Sequence, residues 1–528
     1  MTLRNALQRR LGRRELLRRL GVAGGGLFAA VLVGCAAEDE PNEAAVEPQP
    51  QSDPPPQLES DPEPVASESQ QDQAQPTEQQ ADTSPAARQD QTDQQAQLAQ
   101  RAPMEPPIER RVLVPDLPAG DYELQDPVFD PIPGARVDYG EIDGAGYRIE
   151  LPNQWNGELL LWAHGFRGLN DEGTGYSDRL TFDDIPARDV IIGQGFGWAT
   201  STYRANGYVP GVGVDDLLRV KDRVAELARP PSRTFIAGGS MGGATAQLMA
   251  QEFPDEIAAA LAFCPAMGNV WVVDYLVAWH ALAHHLIGYE PQRLDVAGMI
   301  DWGSALGAAD ESGLRLTPSG EQFAALIQDF TGGERWGFDE GLRQQWNISF
   351  ALGAVLWPDI IDRGPLAPGS VVEVSGHQPP TDTRHHVYSA DPAAGVDLDR
   401  LNANVIRVAS DPVRRSDPGI GLPSGELSVP LLTMTTTGDL FTPIHLTRDY
   451  QKLLADHGNA ANLVVQPIRR AGHCTFSERE SLGAFTSIIA WLGFGLAPPG
   501  DDLQGDLSTV GTRFTNPFDE DDPLRTPT

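Results

Sequence analysis

The sequence predicts an α/β protein, with a mostly parallel sheet flanked by helices and interrupted by a large insertion. Three observations carry that reading. Short apolar runs alternate with helix-like ones across residues 135–265 and again across 425–495, the trace that a parallel sheet with crossover helices leaves in a chain. One run, at 233–237, leads straight into Gly238-Gly239-Ser240-Met241-Gly242-Gly243 and then a helix-like stretch, so strand, sharp turn and helix follow one another with small residues where the turn is tightest. Between the two alternating regions lie roughly 160 residues, far more than a connection inside a compact sheet requires.

Taken from the amino terminus, Arg13-Arg14-Glu15-Leu16-Leu17-Arg18 resembles the twin-arginine export motif. The apolar stretch that follows, 20–33, is short for a membrane span, and Leu32-Val33-Gly34-Cys35 matches the lipobox of bacterial lipoproteins. Residues 1–35 are therefore expected to be a lipoprotein signal peptide, cleaved so that Cys35 becomes the lipidated first residue of the mature protein and holds it at the extracytoplasmic face of the membrane. An uncleaved anchor helix would give the same membrane location. Residues 36–105 are rich in Gln, Pro, Asp, Glu, Ser and Ala, with few apolar side chains to offset the entropy of ordering, and read as a disordered tether.

The whole chain carries a formal net charge of -35, and only two lysines, Lys221 and Lys452. The leader is basic and the tether acidic, so the folded part stays strongly negative. Such a surface disfavours nucleic acid and anionic lipid as partners.

Strand-like runs fall at 147–151, 158–163, 197–203, 233–237, 258–263, 429–435 and 462–467. Helix-like ones fall at 186–194, 214–228, 244–253, 444–457 and 477–492. In this order the chain resembles an α/β-hydrolase of eight strands, the first strand having no clear run. The hydrolase domain is expected at 106–265 and 426–495, the insertion at 266–425 and a tail at 496–528.

In that fold a nucleophile, an acid and a histidine follow one another along the chain, each at the carboxyl end of a strand. Ser240 occupies the GxSxG turn. Thr437-Gly438-Asp439-Leu440-Phe441-Thr442-Pro443 is similar to the acid loop and Ala471-Gly472-His473-Cys474 to the histidine loop, which nominates Asp439 and His473. The chemistry asks for these types: a serine hydroxyl is a weak nucleophile until an imidazole takes its proton, and a carboxylate fixes the tautomer of that imidazole. Asp439 after Gly438 is also a common turn arrangement, and His445 is a rival base, though its place at the start of a helix suits capping or packing. Trp162-Ala163-His164-Gly165-Phe166-Arg167-Gly168 is similar to the family's oxyanion loop, which implies the backbone N–H groups of Phe166 and Met241 as oxyanion donors. His164 is read as holding that loop, Arg167 as either a carboxylate contact or a surface ion pair. Tyr203 to Tyr208 either line an acyl or alcohol pocket or, through Asn206-Gly207, form a turn.

The resemblance implies a largely helical lid over Ser240 that selects the substrate, with helix-like stretches at 271–287 and 321–330. His280, His284, His285, His385 and His386 lie in it without the carboxylate or cysteine spacing of a metal motif, and are read as packing or surface histidines. No metal or other cofactor is expected. Cys264 and Cys474 form an even pair in an exported chain, either bonded or free. The His473-Cys474 pair is similar to tannase and feruloyl esterase enzymes, where a cysteine beside the serine bonds the one beside the histidine; here Gly239 precedes Ser240, and Cys264 is the partner the strand ends offer. The family implies a carboxylesterase-like serine hydrolase acting on a small-molecule or polymeric ester. Gly-Gly-Ser-x-Gly-Gly also resembles the nucleophile of the prolyl oligopeptidase family, which implies peptide or amide cleavage as the alternative. A binding lipoprotein that keeps the fold without turnover is the third reading.

Overall fold

The run Glu158–Ala163 has no polar side chain after its glutamate, so it is satisfied only where both faces of a sheet are covered. In the computed structural model of the chain it forms a central strand, flanked on either side by parallel neighbours. The structure describes residues 111–114, 122–167, 177–288, 296–310, 313–357 and 380–515; the signal and tether segments, with Cys35, lie outside them.

Eight strands make the main sheet: β1 Ala135–Ile142, β2 Ala145–Pro152, β3 Glu158–Ala163, β4 Gly197–Ser201, β5 Arg233–Gly239, β6 Ala259–Phe263, β7 Leu431–Thr436 and β8 Leu463–Ile468. Their order is β1-β2-β4-β3-β5-β6-β7-β8. β2 runs antiparallel to both its neighbours and every other pairing is parallel. This is the α/β-hydrolase fold, with the crossing of β3 and β4 placing β3 beside β5. The first strand, which no apolar run marks, is the edge strand β1: its sequence ARVDYGEI is half polar, and only one of its eight residues is fully buried.

Helices cover both faces. α1 Arg188–Gly193 lies on one; α2 Pro210–Leu227 and α3 Met241–Glu252 lie on the other. α3 starts at Met241, three residues earlier than the sequence suggests, because Gly242 and Gly243 are used for contact. A Cβ on Gly242 would run into Ala163 O, and one on Gly243 would sit 2.8 Å from Pro265 Cβ.

Among the described residues, the segment between β6 and β7 contributes no strand to this sheet. It holds α4 Val270–Ile287, α5 Val296–Gly303, α6 Pro318–Phe330, α7 Phe338–Trp357 and α8 Leu398–Asn404, with a short hairpin of Gly307–Asp310 and Gly313–Leu316. α4 is apolar and long enough to cross a membrane by length and composition, yet most of it is buried within the protein. It is the core helix of this segment: Trp279 packs edge-on against Phe323 at 4.9 Å and against Phe350 at 5.9 Å between ring centres. Such pairs add about 0.5–1.5 kcal/mol each beyond their burial.

Beyond the cap, α9 Ile444–Asp456 and α10 Glu478–Phe494 complete the layers. α10 begins on a reciprocal capping box between Ser477 and Glu480, and Arg470 pairs with the same glutamate. Residues 496–515 pack back on the edge strand: Asp501 N–H donates to Val465 O at 2.8 Å, and Leu503 is fully buried.

Candidate active site

Ser240 stands between the last residue of β5 and the first of α3, at φ 58° and ψ -119°. This is a region that side-chain-bearing residues rarely adopt, and it persists only where the surroundings fix it. Here they do. Its N–H donates to Phe263 O (2.9 Å), and its carbonyl accepts from Ala244 (3.2 Å) and Ala266 (3.1 Å). Gly238 leaves no room for a side chain, because a Cβ there would meet Gly242 O and Ala163 O. The result is a serine raised out of the sheet at the positive end of a helix.

The loop after β7 carries Asp439, which is completely buried, and the loop after β8 carries His473. The two loops are joined by main-chain bonds, Thr437 N–H to Ile468 O (2.9 Å) and Gly438 N–H to Arg470 O (2.8 Å). His473 Nδ1 lies 2.6 Å from Asp439 Oδ2, and His473 Nε2 lies 2.9 Å from Ser240 Oγ. The other carboxylate oxygen, Oδ1, accepts the N–H groups of Phe441 (2.8 Å) and Thr442 (3.2 Å). Thr442 Oγ1 faces Oδ2 at 2.9 Å and Cys264 O at 3.0 Å. Sequence reading passed over Thr442, although a threonine three residues after an aspartate in a turn is a recognisable local partner. Phe441 sets its ring edge-on to His473 at 5.3 Å.

The loop after β3 lies against the start of α3. Ala163 pairs with Gly238 in register, and a Cβ on Gly242 would touch His164 O as well as Ala163 O. Phe166 follows two residues later, half-buried. Met241, buried, opens α3, and the first N–H groups of a helix have no partner within it.

Neighbouring polar residues are structural. His164 is fully buried between two carbonyls, Gly165 O at 2.7 Å and Thr202 O at 3.1 Å, and stacks on Tyr203 at 3.7 Å. Burial, with Arg167 nearby, holds its imidazole well below the ordinary range. The ion pair of Arg167 is not at the surface: its guanidinium meets Asp183 at 2.8 Å with both side chains buried. Tyr203 is fully buried, and Asn206 gives its amide to Ser177 O and Arg179 O, so this segment is a packed turn. His445 is buried edge-on to Tyr275 at 5.6 Å, and burial depresses its basicity. His280 packs beside Trp302 and Phe350.

Cys264 and Cys474 are bonded to each other, with Cα atoms 5.2 Å apart. Cys474 Sγ lies 3.7 Å from His473 Nε2. Among the described residues, Cys264, His473 and Cys474 are the only group of three or more metal-type ligands in close reach, and there both sulfurs are already taken by the disulfide.

No family model matches the chain. Among curated proteins it is similar to the o-phthalyl amidase of Xanthobacter agilis, 25% identical over 436 residues that take in 70% of this chain and 91% of that protein. Among solved structures it is similar to feruloyl esterase B from Aspergillus oryzae (TM-score 0.39, 14% identity, 68% of this chain and 80% of that one). It is also similar to esterase 2 of Thermogutta terrifontis (TM-score 0.33, 14% identity, 70% of this chain and 98% of that one).

Proposed function

We propose that the protein is a serine hydrolase that cleaves carboxylic esters through an acyl-enzyme, with Ser240 as nucleophile, His473 as general base and Asp439 as the group that orients it. The observation that carries this is the unbroken chain from Asp439 Oδ2 to His473 and on to Ser240 Oγ, at 2.6 and 2.9 Å, ending on a serine held at positive φ. As Ser240 Oγ bonds to the substrate carbonyl carbon, its proton passes to His473 Nε2. The same proton then goes to the leaving oxygen as the carbon–oxygen bond breaks; water, giving a proton to His473 Nε2, next bonds to the acyl carbon, and as the bond to Ser240 Oγ breaks that proton returns to Oγ and the acid leaves. The charge on the carbonyl oxygen is met by the N–H groups of Phe166 and Met241. His473 keeps Nδ1–H toward Asp439 throughout.

A second reading, amide cleavage, is favoured by the likeness to an o-phthalyl amidase; it uses the same residues, with nitrogen in place of oxygen as leaving atom. Turnover of p-nitrophenyl esters without turnover of o-phthalyl amides supports the first reading, and the reverse supports the second. Ser240→Ala abolishes both activities and labelling by a fluorophosphonate while the protein still folds. Labelling that survives the substitution refutes the assignment. On this reading the enzyme is exported and anchored through Cys35, so incorporation of labelled fatty acid is lost in Cys35→Ala.

A further inference from the structure

We propose that Gln345, on the cap helix α7, is a positioning residue for the triad: its carboxamide fixes the loop of Asp439 and the loop of His473 against each other. The inference rests on the serine-hydrolase reading above. A primary carboxamide offers two N–H donors and one acceptor oxygen, and Gln345, buried at 4% exposure, spends all three on those loops. Nε2 donates to Gly438 O at 3.1 Å and to Ala471 O at 2.9 Å, and Oε1 accepts the Leu440 N–H at 2.9 Å. Gly438 and Leu440 are the residues on either side of Asp439, and Ala471 lies two before His473.

The backbone of the same helix supports the contact independently. Gly341 is one turn before Gln345 and shares its face. A Cβ on Gly341 would run into Gly438 O and stand 3.0 Å from Ala471 O. On the other side, a Cβ on Gly438 would run into Gly337 O and stand 2.7 Å from Ala471 Cα. Helix and loops thus meet through glycines, close enough for a glutamine to reach both. Two further cap side chains grip the acid loop alone: Arg335 Nε donates to Thr437 O at 2.7 Å, and Tyr275 OH to Leu440 O at 2.8 Å. Gln345 is the one that spans the two loops. The cap is part of the scaffold that sets the distance from Asp439 to His473, besides whatever it does to the substrate.

The test compares Gln345→Met with Trp346→Phe in the full chain. Met keeps the length of the side chain and removes all three bonds. Trp346 is the next residue on the helix, turned into the cap, where its indole N–H donates to Gly307 O at 3.2 Å. The expected result for Gln345→Met is a fall in kcat, per fluorophosphonate-titrated site, of about 30- to 100-fold with KM held within about threefold, the scale of a sub-ångström misplacement of reacting groups. Trp346→Phe lowers Tm and leaves kcat per site within about twofold. A Gln345→Met enzyme whose kcat per site stays within about threefold of the parent overturns the proposal, even if its Tm falls. The low-field proton resonance of His473 Nδ1–H, identified by its loss in His473→Ala, supplies a readout free of turnover. Its disappearance in Gln345→Met and persistence in Trp346→Phe support positioning, and its persistence unchanged in Gln345→Met overturns it. Absence of any turnover or labelling in the parent protein refutes the hydrolase reading instead, and leaves the proton resonance to decide on Gln345.

Discussion

Replacing Asp439 by asparagine tests the proposed mechanism most sharply, because the surroundings dictate which way the amide must face. Oδ1 accepts two backbone N–H groups, from Phe441 and Thr442. An NH2 group there would oppose both donors, so the amide oxygen takes the Oδ1 position and the NH2 takes that of Oδ2, 2.6 Å from His473 Nδ1. Nδ1 must then accept, and the imidazole proton moves to Nε2, the atom facing Ser240 Oγ. In that tautomer His473 cannot take the serine proton. The folded state loses little: the single proton of Thr442 Oγ1, within reach of both Oδ2 and Cys264 O, goes to Cys264 O, and the hydroxyl oxygen accepts from the new NH2. Loss of the orienting carboxylate in a serine triad costs on the order of 10⁴ in kcat, or about 5 kcal/mol of transition-state stabilisation. The assay is steady-state hydrolysis of the best ester or amide found, normalised to folded protein, with the rate of fluorophosphonate labelling as a second measure. Asp439→Asn is expected to lose three to four orders of magnitude in both while its Tm moves by a few degrees. A variant that keeps a tenth or more of parental kcat would show that Asp439 does not set the tautomer of His473.

Two more predictions concern stability. Reduction of the denatured protein raises the count of titratable thiols by two, those of Cys264 and Cys474, and replacing both by alanine costs up to about 5 kcal/mol from the 210-residue separation they close; an unchanged thiol count would mean the cysteines are free in solution. His280 is fully buried and its basicity is pushed down to about 3 by that burial. A histidine whose folded pKa is depressed stabilises the fold above its unfolded value and loses that contribution as pH falls through the window between the two, here from about 6.5 down to about 3. Between pH 7 and 5.5 urea unfolding is therefore expected to show on the order of 1 kcal/mol more loss in the parent than in His280→Phe, and equal losses would refute the burial of a neutral imidazole at this position.

What could be read from the sequence, and what could not, follows from the range of the interactions. Six of the eight sheet strands announce themselves as mainly apolar runs because both of their faces are covered, and β2 does so by alternating Tyr147, Ile149 and Leu151 with Arg148 and Glu150, whereas β1, half-buried at the edge, shows neither pattern clearly. Ser240, Asp439 and His473 each sit within a few residues of a strand end, inside a local motif of glycines and turn residues, so their chemistry is written next to their position. Arg167 shows the opposite case. Nothing in its neighbourhood in the chain tells that Asp183 is buried beside it, and the pair is hidden where a substrate-carboxylate contact or a surface ion pair was expected. The insertion behaves the same way: α4 and α6 carry clear apolar patterns, but α7 mixes polar and apolar residues, and while Glu340, Arg343 and Gln344 bond to one another along the helix, Gln345 is spent on backbone about a hundred residues away.

That distant spending bears on how the insertion serves the site. The chain leaves the sheet at Phe263, and the next residue, Cys264, is tied three ways at once: its N–H donates to Met434 O in β7, its carbonyl accepts from Thr442 beside the acid, and its sulfur is bonded to Cys474 beside the histidine. Further along the insertion, Tyr275, Arg335 and Gln345 return to the acid loop. The root of the cap therefore cannot move without moving Asp439 or His473, and a mobile, substrate-selecting part of the cap would have to lie away from this root. Substitutions among Tyr275, Arg335 and Gln345 should change turnover more than substrate preference.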